Sequence, residues 1–249
     1  MEKTEFSALF QTIFAKNGLN RFCSEEIIDR FWAFTNLFLA ENAKTNLSAI
    51  RTPQEMIAKH YADCLLAEEF LPQNATLLDV GCGGGFPCIP FAIVRPDLCI
   101  TALDSTQKKL DFVKKAATEL SLSNLQPLCG RAEDLAHRDL REQFDLVTAR
   151  AVANLPVLAE LCLPFAKVGG AFLALKGAKG AEELAFAQKT IEKLGGTLKN
   201  NRELPLFCLA GGESASFVSE SRRLILISKQ SATPSAYPRA YASILKKPL

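Results

Sequence analysis

The chain has 249 residues, of which 48% are hydrophobic and 22% are charged, a balance typical of folded globular proteins and unlike that of disordered chains. The formal net charge is only +2, so any contact with nucleic acid must be local rather than spread over the whole surface. The eight cysteines are scattered without a C-x-x-C pair, which excludes a disulfide scaffold, disfavours a zinc site and indicates reduced core thiols.

The N-terminal segment contains no apolar run followed by a small-residue cleavage site, and the sequence therefore predicts no secretory signal. The longest uncharged stretch covers residues 80–94 and is interrupted by glycines and prolines, whereas a membrane-spanning helix needs about 20 apolar residues. We therefore expect a cytoplasmic monomer that makes no contact with membranes.

Residues 1–72 are predicted to form a helical N-terminal cap. Apolar side chains recur at steps of three and four residues over 6–13 and again over 27–38, which predicts two amphipathic helices. Ser24 stands directly before two glutamates and is the predicted N-cap of the second helix.

After Pro72 short apolar runs alternate with helical segments. The predicted strands cover 76–81, 99–104, 125–130, 144–149, 171–176 and 223–228, and the predicted helices cover 86–95, 107–121, 155–166 and 181–194. Continuous apolar strands separated by helices are typical of a parallel sheet that is covered on both faces. We expect an α/β fold over residues 73–230, with a doubly wound, mostly parallel sheet of the Rossmann-like methyltransferase type. A polar connection through Gly211 and Gly212 precedes the last strand, and a basic tail over 231–249 follows it.

The first strand leads directly into a glycine-rich turn that begins at Asp79 and includes Gly81 and Gly83. Glycines at this place let the backbone approach a ligand at the N-terminus of the next helix. A dinucleotide site needs the pattern G-x-G-x-x-G, but Phe86 stands where its third glycine would be. The pattern D-x-G-x-G-x-G is instead typical of S-adenosylmethionine (SAM) binding. We interpret Asp79, Gly81 and Gly83 as parts of a SAM site, and the alternative is a purely structural turn.

Charged residues follow three later strands. Asp104 ends the second strand, at the distance from the glycine turn where an acid accepts hydrogen bonds from ribose hydroxyls; the alternative role is an N-cap for the next helix. Glu133 follows the third strand and would lie beside the adenine. Arg150 ends the fourth strand, where it either binds a carboxylate or phosphate in the cleft or is an ordinary surface cation. The two histidines, His60 and His137, have no spacing that indicates a catalytic triad or a metal site, and we expect no metal.

Six short motifs are distributed along almost the whole chain. They are Asn46-Leu-Ser-Ala-Ile-Arg51, the segment from Leu78 to Pro90, Leu103-Asp-Ser105, Arg150-Ala151, Leu175-Lys-Gly177 and Tyr237-Pro-Arg239. Together they resemble the RsmG family, also called glucose-inhibited division protein B. The resemblance implies a SAM-dependent methyltransferase that acts on guanine N7 of 16S rRNA in the small ribosomal subunit. It also implies cofactor contacts at Gly81, Phe86, Asp104, Ser105, Thr106, Ala132, Glu133 and Arg150.

An RNA substrate requires cations near the cleft, and we expect them at Lys176, Arg239, Lys246 and Lys247. After Arg239 the chain departs from the usual continuation of the family, Lys-x-Gly-x-Pro, and reads Ala-Tyr-Ala-Ser-Ile instead. We expect deletion of residues 237–249 to weaken RNA binding and to leave SAM affinity near that of the full chain.

Guanine N7 carries an in-plane lone pair and no proton, so its methylation needs no general base. We therefore expect no catalytic acid or base, with Arg150 as a candidate positioning residue. Two other functions stay open. A nicotinamide-dependent oxidoreductase shares the strand–turn–helix start and the ribose acid, although Phe86 argues against it. A non-catalytic SAM-binding factor for ribosome assembly shares the whole cleft.

Overall fold

The structure is a computed structural model and describes residues 1–210 and 216–249. Within these ranges seven strands form one sheet in the order β3-β2-β1-β4-β5-β7-β6. The strands are β1 (Thr76–Val80), β2 (Cys99–Asp104), β3 (Leu125–Cys129), β4 (Phe144–Arg150), β5 (Ala166–Lys176), β6 (Gly196–Leu209) and β7 (Phe217–Lys229). The predicted connection through Gly211 and Gly212 lies outside the described residues.

Strands β1 to β5 pair in parallel, and β7 joins β5 and β6 in antiparallel orientation. The predicted doubly wound, mostly parallel sheet is confirmed. Strand β6 was missed by the sequence prediction because its middle is polar, from Asn200 to Glu203, and contains Pro205. Such residues are tolerated in β6 because it forms the edge of the sheet.

The helices of the N-terminal part are α1 (Lys3–Lys16), α2 (Glu25–Thr45), α3 (Pro53–Glu55), a π-helical segment (Met56–Ala62) and α4 (Asp63–Leu65). The helices of the sheet region are α5 (Cys88–Val94), α6 (Gln107–Glu119), α7 (Ala132–Leu135), α8 (Leu155–Cys162), α9 (Gly180–Lys193) and α10 (Tyr241–Lys246). Ser24 caps α2 as predicted, since its hydroxyl accepts a hydrogen bond from the amide of Ile27. Helix α8 is shorter than predicted, because a 3₁₀ turn that includes Pro164 follows it and β5 begins at Ala166.

Two apolar cores cover the two faces of the sheet. Successive strand residues point to opposite faces, so Leu77 and Leu224 belong to the first core and Leu78 and Ile225 to the second. The second core is closed by α8, α9 and the C-terminal α10, whose Ile244 is completely buried. The predicted basic tail is therefore a packed part of the fold, because the side chain of Ile244 completes the second core.

The first core is shared between the N-terminal helices and the sheet. Aromatic side chains join α1 to α2, with ring centroids 5.4 Å apart between Phe10 and Phe31. Asn17, at the end of α1, donates to the carbonyl of Phe207 in β6 (3.0 Å) and accepts from its amide (2.9 Å). The boundary that the sequence predicts at residue 72 thus separates two parts that share one continuous core.

None of the helices within residues 1–210 and 216–249 has both the length and the apolarity that are needed to cross a bilayer. In the same ranges, no group of three or more His, Cys, Asp and Glu side chains is arranged to hold a metal ion.

Candidate functional site

The strand order reverses at β1, whose two neighbours are β2 and β4. In open α/β sheets ligands bind at the carboxyl ends of the strands at this kind of reversal. A cavity of about 320 Å³ opens there, within the size range of small-molecule sites. Its lining residues are Val80, Gly81, Leu103, Asp104, Ser105, Thr106, Lys109, Gly130, Arg131, Ala132, Glu133, Ala151, Val152, Leu161 and Tyr241. We call it the first cavity.

The glycine-rich turn has a backbone conformation that requires glycine. Gly81, Gly83 and Gly85 have φ angles of +74°, +56° and +96°, in the left-handed region that side chains disfavour. A Cβ atom at Gly85 would collide with Ile89, whereas a Cβ atom at Gly83 would have no close neighbour. Gly83 therefore needs to be glycine for its backbone angle, and Gly85 for both its angle and its surroundings.

Asp104 joins the glycine turn to the loop after β2. Its carboxylate accepts hydrogen bonds from the amides of Gly83 (3.0 Å) and Thr106 (2.9 Å), while Thr106 occupies the N-cap position of α6. The alternative of Asp104 as the helix N-cap is therefore wrong. The Nζ atom of Lys109, which lines the same cavity, lies 3.8 Å from this carboxylate. A carboxylate has about four acceptor positions, so Asp104 keeps acceptor capacity for a ligand.

The part of the first cavity beyond Asp104 is formed by the loops after β3 and β4 and by two helices. Ala132 and Glu133 lie there, and the side chain of Glu133 is only 11% exposed; their contact with the cofactor stays a prediction. Leu161 of α8 and Tyr241 of α10 complete this wall. Sequence reasoning missed both, because their distance along the chain from the glycine turn hides their proximity.

Asp79 lies beneath the first cavity, although it was predicted as a cofactor contact. Its fully buried carboxylate accepts from the amide of Cys88 (3.1 Å) and from the hydroxyl of Thr148 (3.5 Å). Burial raises the pKa of Asp79 to about 7. The residue supports the glycine turn by joining β1, β4 and the start of α5.

Phe86 was also predicted as a cofactor contact, and it packs behind the glycine turn. Its ring stacks on His60 with 4.0 Å between centroids and meets Phe38 at 5.2 Å. Burial, together with the charge of Arg150, lowers the pKa of His60 to about 2. His60 therefore packs as an uncharged ring at neutral pH. His137 donates from Nε2 to the carbonyl of Pro238 (2.7 Å).

Arg150 is held inside the protein at the end of β4. It donates to the carboxylate of Asp63 (2.7 Å), to the carbonyl of Lys59 (3.1 Å) and to Nδ1 of His60 (2.9 Å). Its side chain is 14% exposed, so the alternative of an ordinary surface cation is wrong. Among the residues that the structure describes, the buried Nε of Arg150 has no hydrogen-bond partner.

A second cavity of about 410 Å³ lies beside the first at the ends of β4 and β5, and both cavities share Ala151. Its charged lining consists of four cations and two anions: Arg150, Lys176, Lys179, Arg222, Asp63 and Glu183. Asp63 bridges two of the cations, since it also accepts from Nε of Arg222 (2.7 Å).

Two of the predicted RNA-binding cations are committed to internal ion pairs. Lys176 is buried and lies 2.7 Å from the carboxylate of Glu183. Arg239 forms two hydrogen bonds with the fully buried carboxylate of Glu160 (2.8 and 2.6 Å). Both charges are neutralised by carboxylates within the protein, and the contact of Lys176 and Arg239 with RNA stays a prediction. Lys246 and Lys247 are exposed, and their role stays a prediction.

A family model and the sequences of known proteins match most of this chain. The family model described as rRNA small subunit methyltransferase G matches residues 27–204. The chain is 42% identical to ribosomal RNA small subunit methyltransferase G of Halalkalibacterium halodurans, over 100% of both chains. It is 39% identical to the protein of the same name from Clostridium perfringens (strain SM101), over 91% of this chain and 92% of that one.

Solved structures support the fold. M. jannaschii TYW2 in complex with AdoMet has a TM-score of 0.53 at 16% identity and covers 73% of this chain and 79% of its own. Precorrin-6y C5,15-methyltransferase from Geobacter metallireducens has the same TM-score and identity, over 74% of this chain and 92% of its own. At this low identity the similarity extends to the fold alone, a Rossmann-like methyltransferase sheet.

Proposed function

The chain belongs to the rRNA small subunit methyltransferase G family, and from this premise we propose that it transfers the methyl group of SAM to guanine N7 of 16S rRNA. The observation that carries the proposal is the first cavity, which combines the reversal of strand order, the glycine turn and Asp104 in one place. The cofactor is SAM, and the partner is the RNA of the small ribosomal subunit. The chain would act as a monomer in the cytoplasm.

The residues around the first cavity fit SAM. Asp104 has acceptor positions left for the two ribose hydroxyls, and Ser105 and Thr106 line the cavity beside it. Glu133 offers an acceptor for the exocyclic amine of adenine. Gly81 lets the backbone approach the methionine part at the end of β1. When bound, SAM supplies an electrophilic methyl group on a sulfonium ion.

The protein contributes positioning rather than proton transfer. Guanine N7 presents a lone pair without a proton, so its alignment with the methyl group is sufficient. His60 is uncharged and buried behind the glycine turn, and His137 is engaged with Pro238. Arg150, fixed by Asp63, lines the second cavity next to the shared Ala151 and is the candidate positioning residue. We expect the single-turnover rate to be nearly constant between about pH 6.5 and 9.

The second cavity supports a nucleotide as the methyl acceptor. It adjoins the first cavity at Ala151 and carries more cations than anions. Lys179 is exposed and lines this cavity, so it is available to a phosphate, whereas Arg222 is already paired with Asp63 and Glu220. A target guanosine in this cavity would bring its base toward the end of β4, next to the SAM site.

The experiment that tests the proposal uses SAM with a labelled methyl group and small ribosomal subunits that lack the modification. We expect transfer to one guanine at N7, and loss of transfer in Asp104→Ala. A product that is methylated at another atom would contradict the N7 assignment. SAM binding without any transfer to RNA would favour the non-catalytic assembly factor. A nicotinamide-dependent oxidoreductase is not favoured, because the family and the solved structures above are methyltransferases; binding of NADH instead of SAM would reverse this conclusion.

A further inference from the structure

The far wall of the first cavity contains a residue from the C-terminal segment. Tyr241, the first residue of α10, lines the cavity together with Leu161 of α8 and Ala132 of α7. Its ring is half-buried and packs against the second apolar core. The C-terminal segment therefore contributes directly to the shape of the cavity.

The chemistry of this wall suits a purine ring. Leu161, Ala132 and Tyr241 offer apolar surface, and Glu133 places a carboxylate among them. A purine has two apolar faces, and aromatic side chains pack on such faces in stacked or edge-on geometry. The exocyclic amine of adenine donates hydrogen bonds, which Glu133 can accept. The glycine turn contributes a different surface to the cavity, the backbone of Gly81.

We propose that Tyr241 is a cofactor-binding residue that packs against the adenine ring of SAM, which makes the C-terminal segment part of the cofactor site. This inference rests on the proposed function, since it assumes that SAM occupies the first cavity. It extends the cofactor site beyond the glycine turn and the loops after β2 and β3, because Tyr241 belongs to the C-terminal segment.

Contacts on both sides of Tyr241 hold it in place. Two residues before it, Arg239 binds the buried carboxylate of Glu160 through its guanidinium and through its backbone amide (2.9 Å). Three residues after it, Ile244 is completely buried. Because Glu160 and Leu161 are neighbours in α8, the ion pair that anchors the segment also fixes Tyr241 relative to Leu161.

The test measures the affinity of the full-length chain for SAM and for S-adenosylhomocysteine by calorimetry. We expect Tyr241→Leu to weaken both ligands by about three- to tenfold, the range of an aromatic contact, because both carry adenine. Tyr241→Phe should stay within about twofold of the original affinity, since it keeps the ring. Leu245→Ala is the matched control, because Leu245 is a 51% exposed residue of the same helix. This variant should bind both ligands with the affinity of the original chain.

A second readout reports proximity directly. In Tyr241→Trp the added indole should change its emission when SAM saturates the protein, whereas in Leu245→Trp it should not. The single native tryptophan, Trp32, lies in the N-terminal core and gives the same background in both variants. If Tyr241→Leu does not fold, this pair of variants decides the question.

The outcomes separate the two levels of the proposal. If the original chain binds no SAM, the proposed function fails. If the original chain binds SAM, and Tyr241→Leu binds SAM and S-adenosylhomocysteine with the same affinities as the original chain, only the role of Tyr241 is overturned. Unchanged emission of Tyr241→Trp at saturation would overturn it as well.

Discussion

At the scale of single residues, Asp104 has two tasks, because the same carboxylate fixes Gly83 and faces the first cavity. We expect Asp104→Ala to weaken SAM binding at least tenfold, since hydrogen bonds to a charged group contribute roughly 1.5–3 kcal/mol each. Asp104→Asn should be milder, because one acceptor oxygen remains. Calorimetry measures both, and Asp111→Ala on the exposed side of α6 is the control. An unchanged affinity of Asp104→Ala would contradict the assignment.

Asp79 should make the stability of the fold depend on pH. Burial raises the pKa of this carboxyl from 3.8 to about 7, so the folded state disfavours its charged form. The contribution of this group to stability is fully present below about pH 4 and is lost as the pH rises through 7.

Asn does not ionise, so Asp79→Asn lacks this loss. We therefore expect the free energy of unfolding of Asp79→Asn, measured relative to the original chain, to be higher at pH 8 than at pH 5 by roughly 2–3 kcal/mol, at 1.36 kcal/mol per pKa unit. Urea unfolding at the two pH values measures this difference, and any constant effect of the substitution cancels. An equal pH dependence of both proteins would show that Asp79 ionises in the fold as it does in water.

Sequence reasoning located the residues whose role depends on a strand end and missed those whose role depends on a distant partner. Asp104 and Glu133 are found from their positions after β2 and β3, because parallel strands bring their carboxyl ends together. The carboxylate partners of Arg150 and Arg239 lie 87 and 79 residues away, and such pairs cannot be identified from one sequence. Tyr241 was hidden in the same way.

At the scale of elements, the same limits apply. Strands β1 to β5 were predicted because each is apolar and followed by a helix or turn signal. Strand β6 is polar along its middle, which hides it from this rule, and its pairing with β7 compensates for the polar side chains. The packing of α10 depends on a core that other elements create, so its short sequence contains little evidence for it.

The ion pair between Arg239 and Glu160 should stabilise the whole C-terminal segment. We expect Arg239→Met to lower the free energy of unfolding by about 3 kcal/mol, because it leaves the carboxylate of Glu160 buried without its counter-ion. Lys247→Met, at an exposed position, should change it by less than about 0.5 kcal/mol. Chemical unfolding measures both values.

A second substitution tests the cause. Glu160→Gln combined with Arg239→Met should recover part of the loss, since a neutral amide needs no counter-ion. No recovery would mean that Arg239 acts through packing alone. Because the segment is part of the fold, we now expect deletion of residues 237–249 to impair SAM binding as well, in contrast to the expectation from the sequence.

At the scale of the whole molecule, a net charge of +2 means that RNA affinity depends on where the free cations lie. We expect the double variant Lys246→Ala and Lys247→Ala to bind small-subunit RNA more weakly. The slope of log affinity against log salt should fall in magnitude by about 1.4–1.8 if each lysine neutralises one phosphate. Filter binding over a range of salt concentrations measures this slope.

The control removes the same charge elsewhere. Lys44→Ala with Lys115→Ala takes two lysines from one surface groove formed by α2 and α6, and both double variants have a net charge of 2 − 2 = 0. Equal effects of the two variants would mean that total charge, rather than a local contact at Lys246 and Lys247, controls binding.

The pairing of Asn17 with Phe207 has a consequence for how the chain is made. The two residues are 190 positions apart, and ribosomes add roughly 5–20 residues per second, so about 10–40 s pass between their synthesis. During this interval α1 can meet α2, but the strand that covers its other side does not yet exist. The nascent chain therefore carries an unfinished apolar surface through most of its own translation, and such surfaces are where chaperones bind and where aggregation begins.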